Sequence, residues 1–234
     1  MRLRLLLCCL ATLLAPAAAR AQAQAGDEWA AYRDTYRQMI WFEKYGKPKQ
    51  YLQNHLRARP RDPNASLDGA RLTLNGKNTN LALAMDALGR AVFPFSKAAY
   101  DDNAELNLNR KPGQFKLQPW VSIASRADGS YPAAELRAAC EQLLAYLRYS
   151  GDATASGKAC AGVQFTYARN DMAAQVELHA ANGARTALPA REGPAFPGDA
   201  VVTFRIFAVR FAALPEGGQV TTSSAPLAIA ALLE

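Results

Sequence analysis

Six basic residues, Lys44, Lys47, Lys49, Arg57, Arg59 and Arg61, lie between Glu43 and Asp62 with no acid among them. If such charges share a face, they attract the phosphates of lipid headgroups or other envelope polyanions. A solvated helix face has the same composition, so geometry decides between the two. Carboxylates cluster at Asp101, Asp102 and Glu105, beside Asn103, Asn107 and Asn109. Oxygen-rich groups of this kind can hold Ca²⁺ or flank a glycosidic bond, which would make the chain a hydrolase of glycan or peptide. The spacing departs from the EF-hand loop, and a polar turn before a strand accounts for the same residues.

Other chemistry has less support. His55 and His179 belong to no H-x-x-x-H, H-E-x-x-H or Cys/His cluster, so no zinc site is expected. Neither G-x-S-x-G nor S-x-x-K occurs, which lowers the odds of a serine nucleophile. No metal and no cofactor is expected, and the balance leans away from an enzyme. Trp29, Trp41 and Trp120, with Tyr36, Tyr45 and Tyr51, could stack on a sugar or peptide. Aromatics at helical spacing more often fill a core.

The compartment is the best-specified property. Met1 to Arg4 is basic, Leu5 to Leu14 is apolar, and Ala15 to Ala25 is alanine-rich, ending in overlapping A-x-A sites at 19–21, 21–23 and 23–25. This is the layout of a cleavable secretory leader spanning 1–25, too short in its apolar part for the about 20 residues a membrane span needs. An exported, periplasmic or secreted protein with no transmembrane segment after cleavage is therefore expected. The leader holds Arg2, Arg4 and Arg20 and no acid, so 24 basic and 20 acidic residues remain, a net charge of +4. That mild excess does not point to nucleic acid. Cys8 and Cys9 leave with the leader, and Cys140 and Cys160 remain as an expected disulfide.

The elements that would position these groups follow from periodicity. Trp29, Tyr32, Tyr36, Met39 and Ile40 recur at helical spacing, and Gly46 and Pro48 interrupt the pattern. This predicts a helical segment over 26–62, with helices near 27–45 and 48–57. Short alternating runs at 71–75, 81–85, 91–93, 105–109 and 120–123 predict a first β-unit within 63–130. Leu136, Cys140, Leu143, Leu144 and Leu147 share one face of a central helix within 131–150. Runs at 163–168, 174–180 and 201–209 predict a second β-unit within 151–212, and 213–234 reads as a flexible tail or closing strand. The fold expected is α+β: an N-terminal helical pair and two small antiparallel, sandwich-like β-units flanking a long central helix.

The alanine-rich leader and the segments MIWFEKYGKPKQYL (39–52) and ALGRAVFPFSKAAYDDNAELNLNR (87–110) resemble secreted proteins of unknown function from Gram-negative bacteria. The β-units look like transthyretin-like or immunoglobulin-like sandwiches, a likeness of pattern that implies fold alone. The leading expectation is a non-enzymatic periplasmic protein that binds or supports an envelope component, a polyanion or an envelope protein, through the Lys44–Arg61 face. The alternatives are the carboxylate hydrolase and a small-molecule carrier with a pocket between helix and sheet.

Overall fold

The computed structural model describes residues 28–201 and 203–234; the expected leader lies outside them. In chain order, β1 (Glu28–Ala31) enters α1 (Tyr32–Lys44), followed by β2 (Leu52–Pro60), β3 (Leu72–Asn75), β4 (Asn80–Leu83) and β5 (Arg90–Ala91). Next come α2 (Lys97–Asp101), β6 (Glu105–Leu108), β7 (Phe115–Ile123), β8 (Ser130–Pro132) and α3 (Ala133–Tyr149). The remainder is β9 (Cys160–Ala168), β10 (Val176–His179), β11 (Arg185–Ala187), β12 (Arg191–Gly193), β13 (Phe204–Arg210), β14 (Gln219–Thr222) and β15 (Ala228–Leu233).

The described residues therefore form a mostly β protein, with fifteen strands in three sheets and three α-helices. The main sheet has seven strands in the order β12-β13-β9-β15-β7-β2-β5, and its paired neighbours are all antiparallel. Two four-stranded sheets, β1-β6-β3-β4 and β11-β10-β14-β8, accompany it. One face of the main sheet buries Leu56, Ala58 and Phe115 with Tyr32 and Met39 of α1, and Phe165, Phe207 and Ile229 with Leu136 and Leu143 of α3. Each large apolar side chain so buried contributes roughly 1.5–3 kcal/mol. The Cys140–Cys160 disulfide joins α3 to the start of β9 on this side, as expected. None of the helices among the described residues is long and apolar enough to cross a membrane.

The α+β architecture expected from the sequence is corrected on two counts. The helical pair is one helix, because the segment read as a second helix is β2, paired with β7 over nine residues. Leu, Gln, Arg and Ala favour a helix locally, but the ladder and two-faced burial of a sheet override that preference. The two β-units are not separate either, since the main sheet takes β2, β5 and β7 from one half and β9, β12, β13 and β15 from the other. Of the two alternatives for 213–234, a flexible tail or a closing strand, the stretch takes up strands. β14 pairs with β8 and β10, and β15 lies in the middle of the main sheet against β9 and β7.

The second face of the main sheet is covered by the segment before β13. Gln164 Nε2 donates to the Pro194 carbonyl at 2.9 Å, and Thr166 Oγ1 donates to the Ala195 carbonyl at 2.9 Å. These bonds satisfy polar side chains that would otherwise be costly to bury. They also press Ala195 and Phe196 onto Ala228 and Ala230, and Trp120 packs beside them.

Candidate functional site

The main sheet opens between β7 and β15. Ala124 N–H donates to the Tyr51 carbonyl and Arg61 N–H to the Gln114 carbonyl, each at 2.8 Å. Strand alternation then assigns the even-numbered residues of β7 to the ladder with β2 and turns the backbone groups of Pro119, Val121 and Ile123 towards β15. β15 meets β7 at a single register pair, Ile229 with Ile123. Pro119 faces the gap and has no N–H to donate, so a ladder bond from its nitrogen is impossible. Beyond Ile123 the pairing is lost, and the two strands border a cleft of about 960 Å³.

A gap within a sheet exposes side chains from both of its faces, and the lining reflects this. Val121, Leu143, Tyr146, Leu147 and Ala231 form an apolar wall on the α3 side. Burial pushes the Tyr146 phenol up to about 12, helped by Tyr149, Glu43 and Tyr45, so it stays neutral. Trp120, Phe196 and Ala230 line the other side, Trp41 stands at the rim half exposed, and Arg37, Arg59 and Lys116 supply positive charge. Asp152 is the acid among the lining residues, and it accepts hydrogen bonds from Thr154 N–H and Oγ1.

The charged side of the cleft is built by one turn. Phe196-Pro197-Gly198-Asp199 closes with the Asp199 N–H on the Phe196 carbonyl at 3.1 Å, and Gly198 has a φ of 84°. Proline followed by a positive-φ glycine suits a type II turn. The turn brings the Asp199 carboxylate to Arg57, which donates through Nη1 at 3.2 Å and Nη2 at 2.6 Å. The Arg57 side chain is 3% exposed and lies 4.5 Å from both the Trp120 and Phe196 ring centroids. Burial draws the Arg57 pKa down, opposed by the bond to Asp199, yet a guanidinium remains charged at any physiological pH. Arg59 shares the same carboxylate through Nε at 3.2 Å and donates Nη2 to the Gly198 carbonyl at 2.6 Å. Its direct neighbour across the ladder is Lys116, for which no carboxylate lies within ion-pair distance among the described residues.

The six basic residues singled out in the sequence do not form one face. Lys44 is exposed in the last turn of α1, and Lys47 and Arg61 are exposed in loops. Lys49 Nζ donates to the Phe42 and Glu43 carbonyls, capping the end of α1. Arg57 is interior, and Arg59 alone of the six lines the cleft. The carboxylates are also separately engaged: Asp101 pairs with Lys97, Asp102 accepts from Asn78 N–H at 2.9 Å, and Glu105 is exposed on β6. Among the described residues no three His, Cys, Asp or Glu side chains are grouped to hold a metal.

The histidines have structural surroundings. His179 Nε2 faces both Thr221 Oγ1 at 3.0 Å and Glu177 Oε2 at 3.3 Å. A nucleophile relay divides hydroxyl and carboxylate between the two ring nitrogens, so this arrangement does not make one. Burial, with the Arg90 charge, lowers the His55 pKa against the opposing pull of Asp86. Sequence reasoning missed Lys116, Phe196 and Asp199, although the Pro-Gly pair before Asp199 is a strong turn signal. Searches with protein-family models, among curated proteins and among solved structures found no match to this chain.

Proposed function

We propose that the protein is an exported, non-enzymatic binding protein that holds an envelope-derived ligand in the β7–β15 cleft. The observation that carries this reading is the loss of pairing beyond Ile123, which leaves a cleft of about 960 Å³ within an otherwise continuous sheet. Its volume is at the upper end of the roughly 300–1,000 Å³ typical of ligand sites, and an apolar wall with a few polar groups is the usual lining. The ligand has an apolar body for Leu143, Leu147 and Val121 and an anionic group for Arg59 and Lys116. Export follows from the leader at 1–25 and agrees with the disulfide, which persists in oxidising compartments. The anionic preference is kept from the sequence, but it moves from a helix face to the cleft rim.

Trp41 and Trp120 both line the cleft, so their emission reports its occupancy. Titration with dodecanoate, an apolar chain carrying one carboxylate, should give a saturable change that Lys116→Glu weakens about tenfold, or 1.4 kcal/mol. Native mass spectrometry after exposure to a total envelope extract should show a retained adduct that Lys116→Glu loses. Absence of both the emission change and the adduct would refute the proposal.

A further inference from the structure

We infer that the ligand of this cleft is an extended polypeptide segment that adds as a strand to the open edge of β7, its side chains alternating between apolar and acidic. The inference rests on the reading of the cleft as a ligand site and specifies what enters it. Strand alternation directs the Val121 N–H and the carbonyls of Pro119 and Val121 towards the gap. Among the described residues Val121 has no strand partner on that side, because β15 pairs with β7 at Ile123 alone. An occupant that covers these groups without bonding them loses their hydration for nothing. Another backbone offers donors and acceptors at matching intervals, which is how edge strands recruit peptides.

The position of the gap then sets the sequence of the guest. The cleft lies within the plane of the sheet, so a strand seated there sends successive side chains to opposite faces. On one face they meet Leu143, Tyr146 and Leu147. On the other they meet Arg59 and Lys116, which stand directly opposite each other on β2 and β7. Like charges in that position repel, and a carboxylate on the guest strand, next to Lys116 on the same face, offsets that repulsion. An acyl chain would fill the apolar wall but leave the β7 backbone groups unpaired.

The test is calorimetric titration of the full mature protein with an acetylated, amidated heptapeptide alternating valine and glutamate. Two further peptides carry N-methyl groups on alternate amides, one set for each edge of the strand, and dodecanoate is the fourth probe. The parent peptide should bind one to one, weaken with added salt, and lose about tenfold or more on methylation of at least one edge. Lys116→Glu should weaken the parent peptide about tenfold and Lys116→Arg should retain it. Because Lys116 is exposed, neither change threatens the fold. If dodecanoate binds and the peptide does not, or both methylated peptides bind like the parent, strand addition is overturned while the cleft remains a ligand site. If neither peptide nor dodecanoate binds, both readings fall.

Discussion

Removing the Asp199 carboxylate tests the argument that one turn organises the charged side of the cleft. Asp199→Ala deletes the two bonds to Arg57, at 3.2 and 2.6 Å, and the bond to Arg59 at 3.2 Å. Arg57 is then a charge with 3% of its side chain exposed, still held by Trp120, Phe196 and the Leu88 carbonyl. It cannot escape by losing its proton, so the uncompensated charge costs about 3–5 kcal/mol. At roughly 2–4 °C per kcal/mol for a chain of this size, Tm falls by about 6–20 °C. Urea unfolding followed by circular dichroism, with the disulfide intact, measures the free energy directly. Asp199→Leu combined with Arg57→Met removes both charges and keeps apolar volume, so it should be clearly less destabilised than the sum of its single changes. A loss below about 1 kcal/mol for Asp199→Ala, or additivity in the double variant, would refute this account of the pair.

Three further outcomes are expected. Cys140→Ser should cost about 3 kcal/mol in urea unfolding by opening a loop of about 20 residues, and a reductant should abolish the difference from the parent. Leu143→Ala, at a side chain 5% exposed that borders the cleft, should cost about 2–5 kcal/mol, and a negligible loss would mean α3 is not packed as described. Burial holds His55 below its ordinary pKa in the folded state, so the unfolded chain takes up this proton first as pH falls below about 6.5. The folded state therefore loses up to about 1.4 kcal/mol per pH unit from this group until His55 protonates in place. His55→Gln should flatten that part of the stability curve between pH 7 and 5, and parallel curves for the two proteins would contradict it.

Single elements were legible where side chains repeat on one face, although the fold class was not. Leu136, Cys140, Leu143 and Leu144 are all buried in α3, and the alternating runs at 71–75, 105–109 and 163–168 coincide with β3, β6 and β9. β2 was not legible, because Leu52 to Pro60 contains good helix formers and its strand identity comes from β7, some 60 residues further along the chain. The stretch holding β15 was read as a closing strand or a tail, and its place in the sheet was not legible because eight apolar residues near a terminus say nothing about which strands they join. At the site, Arg59 was named, but on a helix face shared with five other cations. A helix would have turned Arg59 away from Arg57 and Arg61, whereas a strand puts Arg57 and Arg59 on one side. Lys116 and Asp199 carry no local motif of function, and only the ladder and the Pro197-Gly198 turn bring them near Arg59.

The same alternation explains why the cleft retains positive charge. Arg57 and Arg59 project from one face of β2 and share a single carboxylate, that of Asp199. Arg57 is enclosed between two rings and takes both carboxylate oxygens, the geometry in which a guanidinium is held most strongly. Arg59, 35% exposed, has a single bond to this carboxylate, at an oxygen already engaged by Arg57. One negative charge thus faces two positive ones, and the surplus lies on Arg59, next to Lys116 and its own positive charge. The arrangement is stable without a ligand because water screens Arg59 and Lys116 at the rim. A carboxylate arriving in the cleft beside Lys116 supplies the negative charge that Asp199 cannot, and so the interaction that secures the interior of the sheet also leaves its opening selective for anions.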